Sequence, residues 1–112
     1  MPLINVKTSI PNVENSEQLL KSLSKELSNL TGKPEQFVMT LLQTKVPMTF
    51  AGTMEPCCYV EIKSIGSIDA PKMTAAFCKL IEDATGITSQ RIYIGFEDIP
   101  ARLWGWNERT FG

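Results

Sequence analysis

The sequence predicts an α+β fold of the α/β-sandwich type, in which two β-α-β units build one four-stranded mixed sheet with two helices on one face. Its 112 residues suit a single domain over 1–112. Two amphipathic helical patterns, each followed by Thr-Gly, alternate with short apolar stretches typical of strands. Identities that recur 54 residues apart indicate an internal repeat of about 2–42 and 56–96. These identities are Pro2 and Pro56, Val6 and Val60, Thr31-Gly32 and Thr85-Gly86, and Gln36 and Gln90.

The first unit begins with a strand over residues 3–7 and continues with a long helix. Asn15 or Ser16 can cap the start of this helix, and Thr31-Gly32 is a typical end. Residues 37–42 are mostly apolar at successive positions, so we expect this second strand to be covered on both faces. The helix is predicted from a leucine stripe at the 3.6-residue period, which consists of Leu19, Leu20, Leu23, Leu27 and Leu30.

The second unit repeats this order after an irregular connection over residues 46–52. A strand over 58–63 alternates apolar and polar residues. Asp69 can cap the following helix, with Pro71 in its first turn, and residues 91–96 close the unit as a strand. The apolar stripe of this helix consists of Met73, Phe77, Leu80, Ile81 and Ala84.

The opposite face of the predicted sheet has no helix to cover it. Right-handed crossovers put both helices on one face, and strands that are apolar on both sides then leave apolar residues on the other. A bare apolar face of that size marks an association surface. We therefore expect other subunits to bury it.

Composition and charge exclude several classes of protein. The net charge is −1, which provides no electrostatic footprint for nucleic acid or an anionic membrane. No apolar run approaches the ~20 residues that span a bilayer, and no secretory signal is recognisable, so we expect a cytoplasmic location. The sequence contains no histidine, which excludes Ser-His and Cys-His nucleophile systems and most zinc sites.

The amino terminus carries the main candidate for chemistry. Met1-Pro2 directly precedes the first strand, and we expect Met1 to be removed because proline is a small second residue. The mature chain would then begin with a prolyl secondary amine. Burial or a nearby cation lowers the pKa of such an amine, and a base with a pKa near the working pH is a usable proton acceptor. The alternative is that Pro2 is only a common second residue.

Five blocks of residues, in the same order and at nearly the same spacing, make the chain similar to the macrophage migration inhibitory factor family of the tautomerase superfamily. The blocks are Pro2 directly ahead of the first strand, Thr31-Gly32-Lys33-Pro34, Glu55-Pro56-Cys57, Ser64-Ile65-Gly66, and Gly105-Trp106-Asn107 with Thr110-Phe111. The resemblance covers essentially the whole chain. It implies a homotrimer whose three sheets line a central barrel with the helices outside, which would cover the bare sheet face.

The resemblance implies that Pro2 is the catalytic base. It also implies that Lys33 and the backbone of Ile65, next to Ser64, bind the carboxylate of the substrate. From the residues alone, Lys33 can instead be a cation that complements the carboxyl end of a helix.

Aromatic residues are expected to form the rim of the same pocket. The resemblance assigns this role to Trp106 and Phe111, together with Tyr93 from a neighbouring subunit, although isolated aromatics are more often core residues. Two positions depart from the family pattern. Gly95 stands where some members have an asparagine that contacts substrate, and Trp104 stands where a smaller aliphatic residue is familiar. Both departures bear on substrate preference, and Trp104 is included among the substrate-binding candidates.

The three cysteines, Cys57, Cys58 and Cys78, form no recognisable disulfide framework, so we expect free, buried thiols. The family's C-x-x-C motif would need a second cysteine where Val60 stands. We therefore expect no thiol oxidoreductase activity.

The activity implied by the resemblance is that of an isomerase that interconverts keto and enol groups. Its substrate would be a small aromatic α-keto acid, such as phenylpyruvate or hydroxyphenylpyruvate, or a dopachrome-like ester, and it would need no metal or organic cofactor. The alternatives are a cytokine-like binding protein with a vestigial site, whose receptor is unknown, and a plain structural trimer. A signalling protein need not keep Pro2, Lys33 and the aromatic rim together, as this chain does.

Overall fold

The structure, a computed structural model, describes residues Met1–Gly112. Four strands form one sheet in the order β2-β1-β3-β4, and two helices cover one of its faces. The elements are β1 (Leu3–Thr8), α1 (Ser16–Thr31), β2 (Met39–Gln43), β3 (Cys58–Ser64), α2 (Ala70–Thr85) and β4 (Ile92–Asp98). Strands β1 and β2 are parallel, as are β3 and β4, whereas β1 and β3 are antiparallel. The predicted mixed sheet with two helices on one face is confirmed.

Both helices begin and end where predicted, but only α2 has the predicted side-chain cap. Gly32 has a left-handed backbone (φ 71°) and donates its N–H to the Ser28 carbonyl, which closes α1. The Asp69 carboxylate accepts the Lys72 N–H at 3.2 Å and caps α2. The prediction that the side chain of Asn15 or Ser16 caps α1 is wrong. Asn15 is itself left-handed (φ 55°) and makes no side-chain capping bond, while Ser16 is already the first helical residue.

Two predicted strands begin later than expected, for the same reason. Residues Glu35–Phe37 and Ser89–Arg91 form short 3₁₀ turns, which exchange backbone hydrogen bonds locally and cannot pair in the sheet. Strand β2 therefore begins at Met39 and β4 at Ile92. These turns are again 54 residues apart, as are α1 and α2.

The core lies between the sheet and the helices. Phe77, Leu23 and Leu27 of the helices are fully buried against Ile62 and Ile4 of the central strands. Burial of each of these side chains stabilises the fold by about 1.5–3 kcal/mol relative to leaving it in water. Neither helix is long and apolar enough to cross a bilayer.

The helix-free face is less apolar than predicted. Strand alternation and the strand register place Leu41 and Tyr93 there near the two edges. The centre of the face carries the polar residues Asn5 and Glu61, which lie directly opposite each other. The expectation of a continuous apolar face is therefore corrected, because β1 and β3 alternate apolar and polar residues and turn the polar ones away from the core.

A short hairpin follows β4 and was not predicted. It consists of β5 (Gly105–Trp106) and β6 (Arg109–Thr110), which pair antiparallel. A 3₁₀ turn at Ala101–Leu103 leads into it. This hairpin brings the chain end back beside the amino-terminal end of β1.

Candidate active site

An apolar cavity lies at the amino-terminal end of β1. It has a volume of about 240 Å³, and eight of its eleven lining residues are hydrophobic. The walls come from the chain start, the segment leading into β2, and the carboxyl-terminal hairpin. Parallel pairing of β1 with β2 accounts for the meeting of the first two, because Leu3 lies opposite Met39. The cavity is large enough for a single aromatic ring with a short polar chain.

Pro2 lies in the wall of this cavity and is almost completely buried. Its carbonyl accepts the backbone N–H of Met39 at 3.1 Å, which fixes the start of β1 against β2. Met1, which precedes it, is only half-buried. Any nitrogen at residue 2 is therefore held rigidly and deeper than the one at residue 1.

The electrostatics at this end of β1 favour a neutral amine. Partial burial lowers the pKa of the Met1 amino group, and the positive charge of Lys33 lowers it further. The backbone of Lys33 is held at the end of α1, where its carbonyl accepts from Ser28 Oγ at 2.6 Å and its N–H donates to Thr31 Oγ1 at 3.3 Å. Its ammonium forms no ion pair with a carboxylate. Lys33 does not line the cavity, but its charge acts on the amine there.

Three aromatic side chains form one wall of the cavity. Trp106 and Phe111 stack with their planes 9° apart and their centroids 5.7 Å apart. Phe37 meets both rings edge to face, at 5.5 Å from Trp106 and 6.4 Å from Phe111. Trp104 also lines the cavity, and its carbonyl accepts the Phe111 N–H at 3.1 Å. The structure thus brings Trp104, Trp106 and Phe111 together with Pro2.

Four further lining residues were not predicted, namely Gln36, Phe37, Val38 and Met39. The order of the elements could have predicted that these residues lie at the cavity. They lie just before or at the start of β2, and a β-α-β unit places β2 next to β1. The residues entering β2 therefore had to lie near Pro2.

Ser64 and Ile65 lie at the end of β3 and do not line the cavity. Ser64 is fully buried, its carbonyl accepts the Ile99 N–H at 2.9 Å, and its hydroxyl has no hydrogen-bond partner. Ile65 is half-buried. The turn that follows is held by the Gly66 N–H, which donates to Asp98 Oδ1 at 2.9 Å.

Tyr93 is not brought to Pro2 within one chain. Its side chain is 66% exposed, and its ring packs against Phe50 with a centroid distance of 4.7 Å. Arg91 holds this region by donating to the carbonyls of Phe50, Glu55 and Pro56. Tyr93 and Phe50 line a second, mostly apolar cavity of about 460 Å³.

The glycine at position 95 has a local explanation. A Cβ atom there would lie 3.4 Å from the hydroxyl oxygen of Tyr59. An alanine would therefore just fit, and any longer side chain would start from a Cβ already in contact with Tyr59. The glycine that departs from the family pattern at position 95 thus lies next to a bulky residue on the adjacent strand.

The cysteines are free thiols, as predicted, but Cys78 is only half-buried and not buried as expected. Cys57 and Cys58 are buried, and burial, with smaller contributions from the two other cysteines, raises the pKa of Cys58 to about 12. Burial likewise raises the pKa of Cys78. Since the thiolate is the reactive form, Cys58 and Cys78 are poor nucleophiles.

Known proteins resemble this chain over its whole length. The sequence model of the family described as macrophage migration inhibitory factor (MIF) matches residues 1–112. The chain belongs to the MIF family. It is 34% identical to the macrophage migration inhibitory factor of Rattus norvegicus over 114 residues, with 99% of each chain covered. Family membership supports a tautomerase or a cytokine-like function, and the tautomerase superfamily fits the fold.

Solved structures of MIF homologues have the same fold. The homologue from Prochlorococcus marinus is 55% identical, with a TM-score of 0.95 over 98% of this chain and 99% of that chain. The factor from Trichinella spiralis is 26% identical, with a TM-score of 0.91 over 97% and 99%. The predicted family is therefore confirmed, and MIF homologues share the fold of this chain at both 55% and 26% sequence identity.

Proposed function

We propose that the protein is a keto–enol tautomerase for a small aromatic α-keto acid such as phenylpyruvate or hydroxyphenylpyruvate, or for a dopachrome-like ester. The base is the amine of Pro2, freed by removal of Met1. The observation that carries this proposal is the apolar cavity around the buried Pro2, at a chain start where burial and Lys33 lower the pKa of an amino group.

The reaction is a proton transfer in two steps. The lone pair of the neutral Pro2 nitrogen takes a proton from the carbon next to the substrate carbonyl, and the electrons of the broken C–H bond form the C=C bond of the enolate. The conjugate acid of Pro2 then gives the proton to the enolate oxygen, which completes the enol. One group acts as base and then as acid, so its pKa must lie near the working pH.

Lys33 supports both the base and the substrate. Its charge favours the neutral amine, as it does for the amino group of Met1. The same ammonium, which has no carboxylate partner of its own, can hold the carboxylate of an α-keto acid. The substrate ring would lie against Trp106 and Phe111, and the bulk of Trp104 would narrow the mouth of the cavity.

A purified sample with its intact mass measured tests the function. We expect the mass to show that Met1 is absent and the sample to catalyse the enolisation of phenylpyruvate, followed by ultraviolet absorbance. The matched control is the same chain extended by two residues ahead of Met1. Methionine removal then cannot reach Met1, so the Pro2 nitrogen remains an amide. Activity equal in both samples would exclude Pro2 as the base.

We also propose that the active unit is a homotrimer with sites at the subunit interfaces. Tyr93 supports this, because the residue is 66% exposed and does not line the cavity around Pro2 in its own chain, as expected if it reaches the site of a neighbouring subunit. We expect sedimentation equilibrium at micromolar concentration to give three times the chain mass. A stable monomer with full activity would contradict the shared site.

A further inference from the structure

Ser64 carries a buried polar atom that the rest of the structure does not explain. Its hydroxyl is the one buried side-chain oxygen or nitrogen without a hydrogen-bond partner. Leaving such a group unpaired is costly, so native proteins rarely do it. The other buried hydroxyl groups are satisfied, since those of Thr8 and Thr31 donate to the carbonyls of Cys57 and Leu27.

The strand register, continued by one residue, brings Ser64 opposite Pro2. Strands β1 and β3 pair antiparallel with Leu3 opposite Lys63, so one further step puts Pro2 opposite Ser64. Both residues are fully buried and share the helix-covered side of their strands with Ile4 and Ile62. Opposite residues in such a pair have Cβ atoms about 4.5–5.5 Å apart. The Ser64 hydroxyl, one bond beyond its Cβ, is thus within reach of the proline ring.

The missing partner follows from the chemistry of residue 2. While Met1 is attached, the Pro2 nitrogen is a tertiary amide with no N–H to donate. Removal of Met1 turns it into a secondary amine. In its neutral form this amine has one N–H and one lone pair.

We propose that Ser64 is a positioning residue whose Oγ accepts the N–H of the mature Pro2 amine and so turns the nitrogen lone pair toward the cavity. This inference rests on the proposed function, in which that lone pair takes the substrate proton. After the transfer the ammonium has two N–H bonds. Ser64 holds one of them, and the other, which carries the proton taken from the substrate carbon, still faces the cavity and the enolate oxygen.

Loss of this hydrogen bond has a predictable sign. A hydrogen bond to the protonated amine is stronger than one to the neutral amine, so Ser64 favours the charged form. Ser64→Ala should therefore lower the pKa of the Pro2 amine and move the acid limb of the kcat/KM profile to lower pH. The value of kcat should fall about two- to tenfold, the effect of one neutral hydrogen bond.

The decisive measurement is a titration that needs no turnover. Processed protein is labelled with ¹⁵N-proline, and the ¹⁵N shift of the terminal amine, the only proline nitrogen that can titrate, is followed against pH. We expect a lower midpoint in Ser64→Ala and an intermediate one in Ser64→Cys, which keeps a weak acceptor of similar size. The control is Thr8→Val, which removes another buried hydroxyl at the far end of β1; it should lower Tm and leave the midpoint unchanged.

Two results would overturn the inference. The first is an unchanged or higher midpoint in Ser64→Ala, and Ser64→Cys decides in the same way if the alanine variant does not fold. The second is a Thr8→Val midpoint that moves as far as that of Ser64→Ala, because the effect would then be general to the sheet. A wild-type protein inactive on phenylpyruvate would contradict the proposed function, whereas the titration would still report on Ser64.

Discussion

Pro2→Ala should lower kcat by about 10²–10⁴-fold, the usual contribution of a positioned general base. Alanine is also small, so Met1 should still be removed and a primary amine left in nearly the same place. That amine lacks the ring that fixes the nitrogen against β2, and its lone pair can rotate away from the cavity. Steady-state kinetics on phenylpyruvate, with kcat and KM determined separately, should place most of the loss in kcat.

Pro71→Ala is the matched control for this variant. Pro71 is exposed in the first turn of α2 and does not line the cavity, so kcat and KM should not change. Both proteins need an intact-mass check that Met1 is absent. If Pro2→Ala keeps full kcat, the tautomerase proposal fails, and the cytokine-like binding protein becomes the better account of the family membership.

The parts of the fold that could be predicted are those that depend on local pattern. The 3.6-residue leucine stripe of α1, the Gly32 end and the Asp69 cap each have a mechanism within a few residues of the chain, and the structure contains all three. The topology followed from the order of the elements, since crossover handedness leaves few arrangements.

The parts that could not be predicted depend on contacts distant in sequence. Asn15 has the right side chain for a cap, yet its backbone is left-handed and its side chain makes no capping bond. The hairpin at 105–110 has too few residues to show strand alternation. It is located instead by the packing of Trp106 and Phe111 against Phe37, about seventy residues earlier in the chain.

The candidate site likewise has features that could be predicted from the sequence and features that depend on contacts distant in sequence. Pro2, Trp106 and Phe111 could be named from the resemblance, and all three line the cavity. The unpartnered hydroxyl of Ser64 could not be found from the sequence, because a buried serine looks like any other until the register shows what lies opposite. Likewise, the reason for Gly95 is visible only once Tyr59 is placed on the neighbouring strand.

Lys33→Ala should lower kcat/KM on phenylpyruvate roughly 10- to 150-fold, because it removes a charge-assisted hydrogen bond worth about 1.5–3 kcal/mol. It should also raise the pKa of the Pro2 amine, since a neighbouring positive charge is lost, and so move the acid limb of the pH–rate profile to higher pH. This is opposite to the shift expected for Ser64→Ala. Burial, which is the larger cause of the lowered pKa at the chain start, remains in the variant, so the amine should not return fully to its ordinary pKa.

Lys25→Ala and Lys33→Arg are the controls that separate position from charge. Lys25 is exposed on α1, the helix that precedes Lys33, so its loss should leave both kcat/KM and the profile unchanged. Arginine at position 33 keeps the charge and should keep the acid limb in place, even if its longer side chain alters KM. The measurement is kcat/KM against pH for all three variants. If Lys33→Ala behaves like Lys25→Ala in both respects, Lys33 does no more than complement the carboxyl end of α1, and the substrate carboxylate must be held elsewhere.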